Sequence, residues 1–452
     1  MRVTAPRLST QPEQIDEWPV PVIDIAPLTW ENHSDRAKVV AALTAAVLSH
    51  GIFAVVGHGI PDDVMQWALL STKVALQEGG SADIEGWAEL LPQPSAVVPP
   101  GFVPAYSENY GRVGTDGAKA PPESIHKYTV YPPSWDFDPS VRKSRRNVWP
   151  DTAAGEALRE PLETYFDEAQ RVSDVLHGAL SEDVGQPTEL ISKMLMPHTE
   201  GLLRAMCYHP AHPTMAAHKD LGTTTLHLAD APGLEFQPRG REDWVAAAAP
   251  QGALLVIIGE FFELRTQGVW RATPHRVTGV GDQGRCSLVF CANQGIPYPE
   301  DGSPVNRTIR PLPAFGDEEA WGGLETSRTL GGAARHSIEW PAFFNDAMAA
   351  VRSKVAAEEI VAARLHAAVH KSQASPCALS AMWQSSCWLH GQDLEAHLLV
   401  LASMVSSATQ RSVPSSPFTA AGKRQGGIPC TAVWSKCSML HNRRASFCTA
   451  VW

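Results

Sequence analysis

The sequence predicts a mainly β protein with flanking α-helices, and three observations carry that expectation. Between about residue 200 and residue 293 the chain breaks into short strand-type runs: LLRAMCYHP, TTTLHLAD, GLEFQPRG, DWVAAAAP, GALLVIIGE, HRVTGV and RCSLVFCANQ. Pro, Gly and Asp separate them at the spacing of an all-β barrel or sandwich. Ahead of them, apolar residues recur at helical spacing in three stretches. The 452 residues are 44% hydrophobic and 19% charged, a globular composition with enough chain for one large domain or two ordinary ones.

The elements follow in order. PVIDIAPL (21–28) reads as a short strand closed by Pro27. SDRAKVVAALTAAVLSHG (34–51) reads as a helix with Ser34 as N-cap and Gly51 as its stop. IFAVVGHG (52–59) is a buried strand, and Pro61 opens a helix that runs to about Gln77. Residues 90–150, rich in Pro, Gly and Tyr, read as long ordered loops. From Ala154 to Val184, Leu158, Leu162, Tyr165, Val172, Leu176 and Leu180 mark one long helix packed on a sheet. Helical spacing returns over 341–370. The tail from 371 is rich in Ser, Cys and Trp and nearly repeats PCTAVW (429–434) as FCTAVW (447–452). Two short copies are not a repeat architecture, and the expectation is a disordered extension or a faulty gene model. The expected organisation is a mixed amino-terminal segment over 1–150, a β domain over 151–345, a helix over 346–370 and the tail over 371–452.

The net charge is −11, but residues 371–452 carry seven Lys/Arg against two Asp/Glu. The remaining 370 residues therefore carry −16. An acidic body repels phosphates, so no nucleic-acid partner is expected. No apolar run reaches the ~18 residues of a membrane helix, and the first twenty residues lack the apolar core of a secretory signal. Of eight cysteines, Cys207, Cys286 and Cys291 are scattered through the body, which argues for free thiols in a reducing compartment. A cytoplasmic monomer that meets a small-molecule substrate is the expectation, with no membrane partner.

The chemistry concentrates in the β region. His218-Lys219-Asp220 is followed 55 residues later by His275. Two histidines and one carboxylate on one face of a metal form the facial triad of non-haem Fe(II) oxygenases. Three protein ligands leave three positions open, two for a chelating 2-oxo acid and one for O2. The His-x-Asp spacing suits a strand, where residues two apart project to one face. Arg285 and Ser287 share a strand face in the same way, flanked by Leu288, Val289 and Phe290. A buried Arg needs an anionic partner, and this pair suits the distal carboxylate of 2-oxoglutarate.

Taken together, these motifs resemble the isopenicillin-N-synthase-like superfamily of Fe(II)/2-oxoglutarate oxygenases. The matching pattern runs from His-x-Asp through GLEF (233–236), Trp244, Pro250-x-Gly252, Gly259-Glu260 and His275-Arg276-Val277 to Arg285-x-Ser287. PVIDIAPL, HGIFAVVGHGIP (50–61) and Asn147-Val148-Trp149-Pro150 resemble that family's amino-terminal part. The resemblance covers roughly residues 20–300. It implies a distorted double-stranded β-helix, a cupin-like jelly-roll core with external helices. It implies Fe(II) at His218, Asp220 and His275, and 2-oxoglutarate at Arg285, Ser287 and Tyr208, with O2 as oxidant. The chemistry would be iron-centred, with no separate acid or base from the protein.

Lys219, Glu260 and His209 depart from the usual family residues; Lys219 should point away from the metal. His227 has the opposite parity from His218 and Asp220 and reads as structural. His209 and His212 read as loop residues, Cys286 as packing outward, and Phe261, Phe262 and Trp270 as core. Some family members keep an Arg-x-Ser pair without using 2-oxoglutarate. An oxidase of that kind, an inactive binding protein on the same fold and a zinc hydrolase therefore remain open at this point.

Overall fold

Apolar runs form the strands that the sequence marks, and they assemble into two sheets with helices on one side. The structure, a computed structural model, describes residues 18–29, 33–78, 98–110, 123–138, 146–186, 188, 191, 200–208, 214–279, 284–293, 307–308, 312, 315 and 339–340. The chain divides into two compact units, residues 1–363 and 364–452, and every described residue lies in the first. The expected helix over 346–370, the tail, His209 and His212 lie outside the described residues.

In chain order the elements are β1 (Val22–Asp24), α1 (His33–Ser49), β2 (Ile52–Val56), α2 (Asp62–Lys73), β3 (Gly101–Val103) and β4 (Ile125–Val130). They continue with α3 (Ala153–Asp183), β5 (Glu200–Tyr208), β6 (Met215–His218), β7 (Thr224–Ala229), β8 (Leu234–Phe236) and β9 (Val245–Ala246). The last are β10 (Leu254–Ile258), α4 (Glu260–Arg265), β11 (His275–Val277) and β12 (Arg285–Asn293). A further short pair joins Arg307–Thr308 to Glu339–Trp340. The large sheet has eight strands in the order β1-β2-β10-β7-β12-β5-β4-β3, and the smaller has four in the order β6-β11-β8-β9. This is the jelly-roll core with external helices that the resemblance implies.

Strand alternation divides the core in two. One face of the large sheet carries Leu203, Leu226, Val256 and Phe290 into a core shared with the helices. The other face carries Met206, Tyr208, Leu255 and Val289 into a second core with Met215, Leu234, Phe236 and Val277 of the small sheet. All six apolar positions expected on the long helix are buried in α3. Each such side chain contributes about 1.5–3 kcal/mol on leaving water. Thr152 caps the same helix by accepting from the Gly155 N–H at 3.1 Å. Gly51 ends α1 at φ +67°, where a Cβ would meet the Arg271 carbonyl oxygen at 2.7 Å. Phe261, Phe262 and Trp270 are core, as expected. Among the described residues, no helix is long and apolar enough to cross a membrane.

The sequence reading needs correction in several places. Residues 90–150 are not all loop: β4 lies beside β5 over six residue pairs and extends the large sheet, with β3 outside it. The Pro/Gly-rich flanks and the Lys in IHKYTV hid these strands. Helix α1 begins at His33, so Ser34 sits inside it and not at its cap. Cys207 and Cys286 form a disulfide and, among the described residues, only Cys291 is free, so the argument from three free thiols to a reducing compartment falls. The two partners are 79 residues apart in sequence but directly opposite across β5 and β12, with Cα atoms 4.3 Å apart. Cys286 does face away from the inner core, yet it is fully buried.

Candidate metal and cosubstrate site

His218 ends β6 and His275 begins β11, and the two residues are direct antiparallel partners. Asp220 is not on the strand; it lies in the turn that follows. That turn is pinned by the Glu260 N–H donating to Asp220 O at 2.7 Å and the Phe261 N–H donating to Gly222 O at 3.1 Å. Gly259 permits the approach, because a Cβ there would sit 2.2 Å from Gly222 O. The turn, and not strand parity, brings the carboxylate to the histidines.

One side-chain ligand atom from each of the three residues lies within 4.8 Å of the others, so the group could hold a metal ion. Asp220 Oδ1 is 3.6 Å from His218 Nε2 and 3.5 Å from His275 Nε2. Each Nδ1 faces a backbone carbonyl, Ala216 O at 2.8 Å for His218 and Thr273 O at 3.0 Å for His275. A carbonyl only accepts, so each Nδ1 donates and each neutral ring keeps its Nε2 lone pair for a ligand. Burial would raise the Asp220 pKa, but His275 and His218 beside it hold it well below the usual carboxylate range. Burial likewise opposes charge on His275, and the Asp220 carboxylate outweighs it and raises that pKa. Asp220 Oδ2 is buried without a hydrogen-bond partner. A divalent cation fits this donor set: it would meet the orphaned oxygen and both lone pairs.

Arg285 opens β12 opposite Tyr208 and is 1% exposed. Its Nε donates to Ala231 O at 3.1 Å, its Nη2 lies 3.0 Å from His227 Nε2, and its guanidinium carbon is 5.2 Å from the Tyr208 ring centre. Nη1 has no partner, and neither has Oγ of the fully buried Ser287 two residues on. Among the described residues no carboxylate lies within ion-pair distance of Arg285. A buried cation with a free N–H beside a free hydroxyl suits a carboxylate ligand.

All six expected residues are therefore buried or nearly so on one side of the large sheet and its small-sheet partner. Lys219 turns away as expected, its Nζ 2.8 Å from Glu263 Oε2. The sequence reading of His227 needs correction. Residues 219–223 interrupt the strands, so parity does not carry from His218 to His227. Within β7, His227 pairs with Val289 and Leu255 of the inner core, and it touches Arg285. Counting from Val289 across the sheet is the signal that finds it. Arg204, which the sequence reading did not single out, stands on β5 four residues before Tyr208, which places both on one face.

A jelly-roll that buries a His-Asp-His group beside an Arg with one free N–H and a Ser hydroxyl without a partner is the arrangement of metal-dependent oxygenases. Known proteins place the chain within it. Residues 20–74 match the profile described as the non-haem dioxygenase in morphine synthesis N-terminal domain, and residues 200–294 match that of the 2OG-Fe(II) oxygenase superfamily. Clavatol oxidase of Penicillium crustosum is 24% identical over 66% of this chain and 90% of its own length. Gibberellin 2-beta-dioxygenase 7 of Arabidopsis thaliana is 27% identical over 60% of this chain and 74% of its own length. Two solved structures share the fold. A putative 2OG-Fe(II) oxygenase family protein of Caulobacter crescentus has a TM-score of 0.55 at 17% identity, covering 73% of this chain and 99% of its own. A full-length Neurospora crassa protein, solved in complex with α-ketoglutarate and thymine, has a TM-score of 0.53 at 14% identity, covering 67% and 92%. The chain belongs to the Fe(II)/2-oxoglutarate oxygenase superfamily; it is a 2-oxoglutarate-dependent dioxygenase, an oxidoreductase whose cofactor is Fe(II) and whose cosubstrate is 2-oxoglutarate.

Proposed function

We propose that His218, Asp220 and His275 hold the iron, and that Arg285, Ser287 and Tyr208 take 2-oxoglutarate. On this reading the chain hydroxylates, desaturates or cyclises a small organic metabolite while 2-oxoglutarate is converted to succinate and CO2. The observation that carries it is the pairing of a buried His-Asp-His group with a buried guanidinium that keeps one N–H free. The names of the relatives, an oxidase for clavatol and a dioxygenase for a gibberellin, favour secondary or hormone metabolism. The acidic body favours a small-molecule substrate over nucleic acid, and a monomer is all the site requires.

Bound together, Fe(II) and 2-oxoglutarate would supply the electrons that reduce O2 and so make it able to oxidise the substrate. The residues do the rest. Ala216 O and Thr273 O aim the two imidazoles, and Asp220 adds the anionic donor. Arg285 Nη1 and Ser287 Oγ would grip the distal carboxylate, with the Tyr208 ring against the guanidinium. The apolar inner core excludes water.

Anaerobically purified protein should bind about one Fe(II) per chain and form succinate from 2-oxoglutarate. Asp220→Ala should lose the iron and the succinate together, because removing the one anionic ligand costs affinity heavily. An Asp220→Ala protein with normal iron content would remove that residue from the site.

A further inference from the structure

A second polar cluster is buried on the inner side of the large sheet, and the metal and cosubstrate do not use it. Glu108 Oε2 accepts from Lys127 Nζ at 2.8 Å and from Arg204 Nη2 at 2.9 Å. Glu123 Oε2 accepts from the same Lys127 Nζ at 2.6 Å, and Glu123 Oε1 accepts from the Tyr110 N–H at 2.9 Å. Arg204 Nη1 donates to the Tyr110 hydroxyl at 3.0 Å. The four charged side chains are at most 6% exposed. Two charged pairs buried together are costly to assemble and contribute little net stability. Holding the fold does not by itself account for them.

Three features place the cluster in the reaction chamber. Arg204 shares a face of β5 with Met206 and Tyr208, and both of those belong to the inner core. The Tyr110 ring centre lies 5.1 Å from that of His218. Four residues, or ~13 Å of strand, separate Arg204 from Tyr208 and the Arg285 patch. The Tyr110–Arg204 end of the cluster therefore stands beside His218, while Glu123, two residues before the Ile125 that pairs with Tyr208, lies towards the cosubstrate residues.

Its hydrogen bonding is incomplete in a specific way. A guanidinium only donates, so the Tyr110 oxygen accepts from Arg204 and keeps its own proton to give. No acceptor for that proton is present among the described residues. Arg204 Nε and Thr129 Oγ1, which face each other across β5 and β4, also lack partners. One acceptor, Glu108 Oε1, is left over beside these donors, and the charges are already spent: two cations meet two carboxylates.

We propose that the Tyr110–Arg204 patch orients the substrate, and that it takes an uncharged oxygen acceptor, such as a ketone, lactone or amide carbonyl, on a neutral molecule. The proposal rests on the metal and cosubstrate assignment above. A substrate carboxylate here would put a third anion beside two cations in a buried site, with nothing to neutralise it. A carbonyl needs only the proton that Tyr110 holds out.

The test is substrate-stimulated succinate formation by the full-length protein loaded with Fe(II). The probes are a panel of ketones, lactones and amides, each paired with the free carboxylic acid of the same carbon skeleton. Neutral members should stimulate turnover and their acids should not. Tyr110→Phe should raise KM for the stimulating compound about tenfold, the worth of one hydrogen bond, while KM for 2-oxoglutarate stays within about twofold. Glu108→Gln, which leaves the cluster one positive charge in excess, should shift the preference towards the acids; a purely structural cluster would show no such shift. Stimulation by the acids alone, or an unchanged KM in Tyr110→Phe, would overturn the proposal. Failure of the wild-type protein to bind 2-oxoglutarate would instead overturn the assignment of Arg285, and this proposal with it.

Discussion

Nε2 of His227 lies 3.0 Å from Nη2 of Arg285, inside the space between the two sheets. The guanidinium donates, so the imidazole accepts and its proton sits on Nδ1. Burial is the main reason that His227 stays neutral, and the adjacent Arg285 charge adds to it. With Ala231 O holding Nε, two contacts fix the guanidinium and leave Nη1 for a ligand. His227→Leu removes one of them and strands a buried N–H, a loss of about 1–3 kcal/mol. KM for 2-oxoglutarate should rise roughly tenfold or more while iron content holds. Steady-state kinetics with metal analysis check this, and an unchanged KM would mean that Arg285 keeps its position unaided.

Arg285 itself should matter more. Arg285→Gln loses a charge-assisted contact of roughly 2–5 kcal/mol, so KM for 2-oxoglutarate should rise about 30-fold to several thousand-fold. Ser287→Ala should act in the same direction with about 1–3 kcal/mol. Neither residue belongs to the His-Asp-His group, so both variants should retain iron. Shorter 2-oxo acids without a second carboxylate should be poor cosubstrates for the wild type and less disfavoured in Arg285→Gln. Wild-type dependence on 2-oxoglutarate in that variant would defeat the assignment.

How far the sequence could be read depended on the range of each signal. The meeting of His218, Asp220 and His275 was legible because few residue types can ligate a metal and because spacing limits where they can fall. The strand reading of His-x-Asp picked residues that do meet, for an incomplete reason, since Asp220 arrives by a turn pinned to Gly259 and Glu260. Helix α3 was legible because its apolar period runs unbroken over many turns. Strands β3 and β4 were not, because short strands between Pro-rich flanks carry too few residues to show a period. Glu108, Lys127 and Arg204 lie as much as 96 residues apart, and no local pattern announces that they meet. The Cys207–Cys286 bridge was hidden for the same reason.

That bridge joins neighbouring strands on the helix-covered face of the large sheet, with Cys207 and Cys286 both in the outer core. A cross-link of this kind contributes typically about 2–4 kcal/mol by restricting the unfolded chain. Dithiothreitol should therefore lower the Tm of the wild-type protein and leave that of Cys207→Ser unchanged. Non-reducing peptide mapping should find the Cys207 and Cys286 peptides linked. Separate peptides from protein prepared without reductant would show that the bridge does not form.

His177 makes acid stability a readable property. It is fully buried in α3, with Nε2 3.0 Å from Thr224 Oγ1 and its ring edge-on to Phe262. Burial lowers its pKa from 6.5 to about 4. In the unfolded chain the same imidazole takes a proton near pH 6.5. Between those values the unfolded state binds more protons, so stability is complete above pH 6.5 and falls as the pH drops towards 4. The full loss from this one group is about 3 kcal/mol. His177→Gln keeps a polar atom near Thr224 but cannot titrate. Urea unfolding from pH 7.5 to pH 4.5 should show the wild type losing stability faster than the variant, with the difference opening below pH 6.5. Other buried groups, His227 among them, contribute equally to both proteins and cancel in that comparison. Parallel curves would mean that His177 reaches water or a carboxylate in solution, and that the packing of α3 against β7 is looser than its contacts with Thr224 and Phe262 describe.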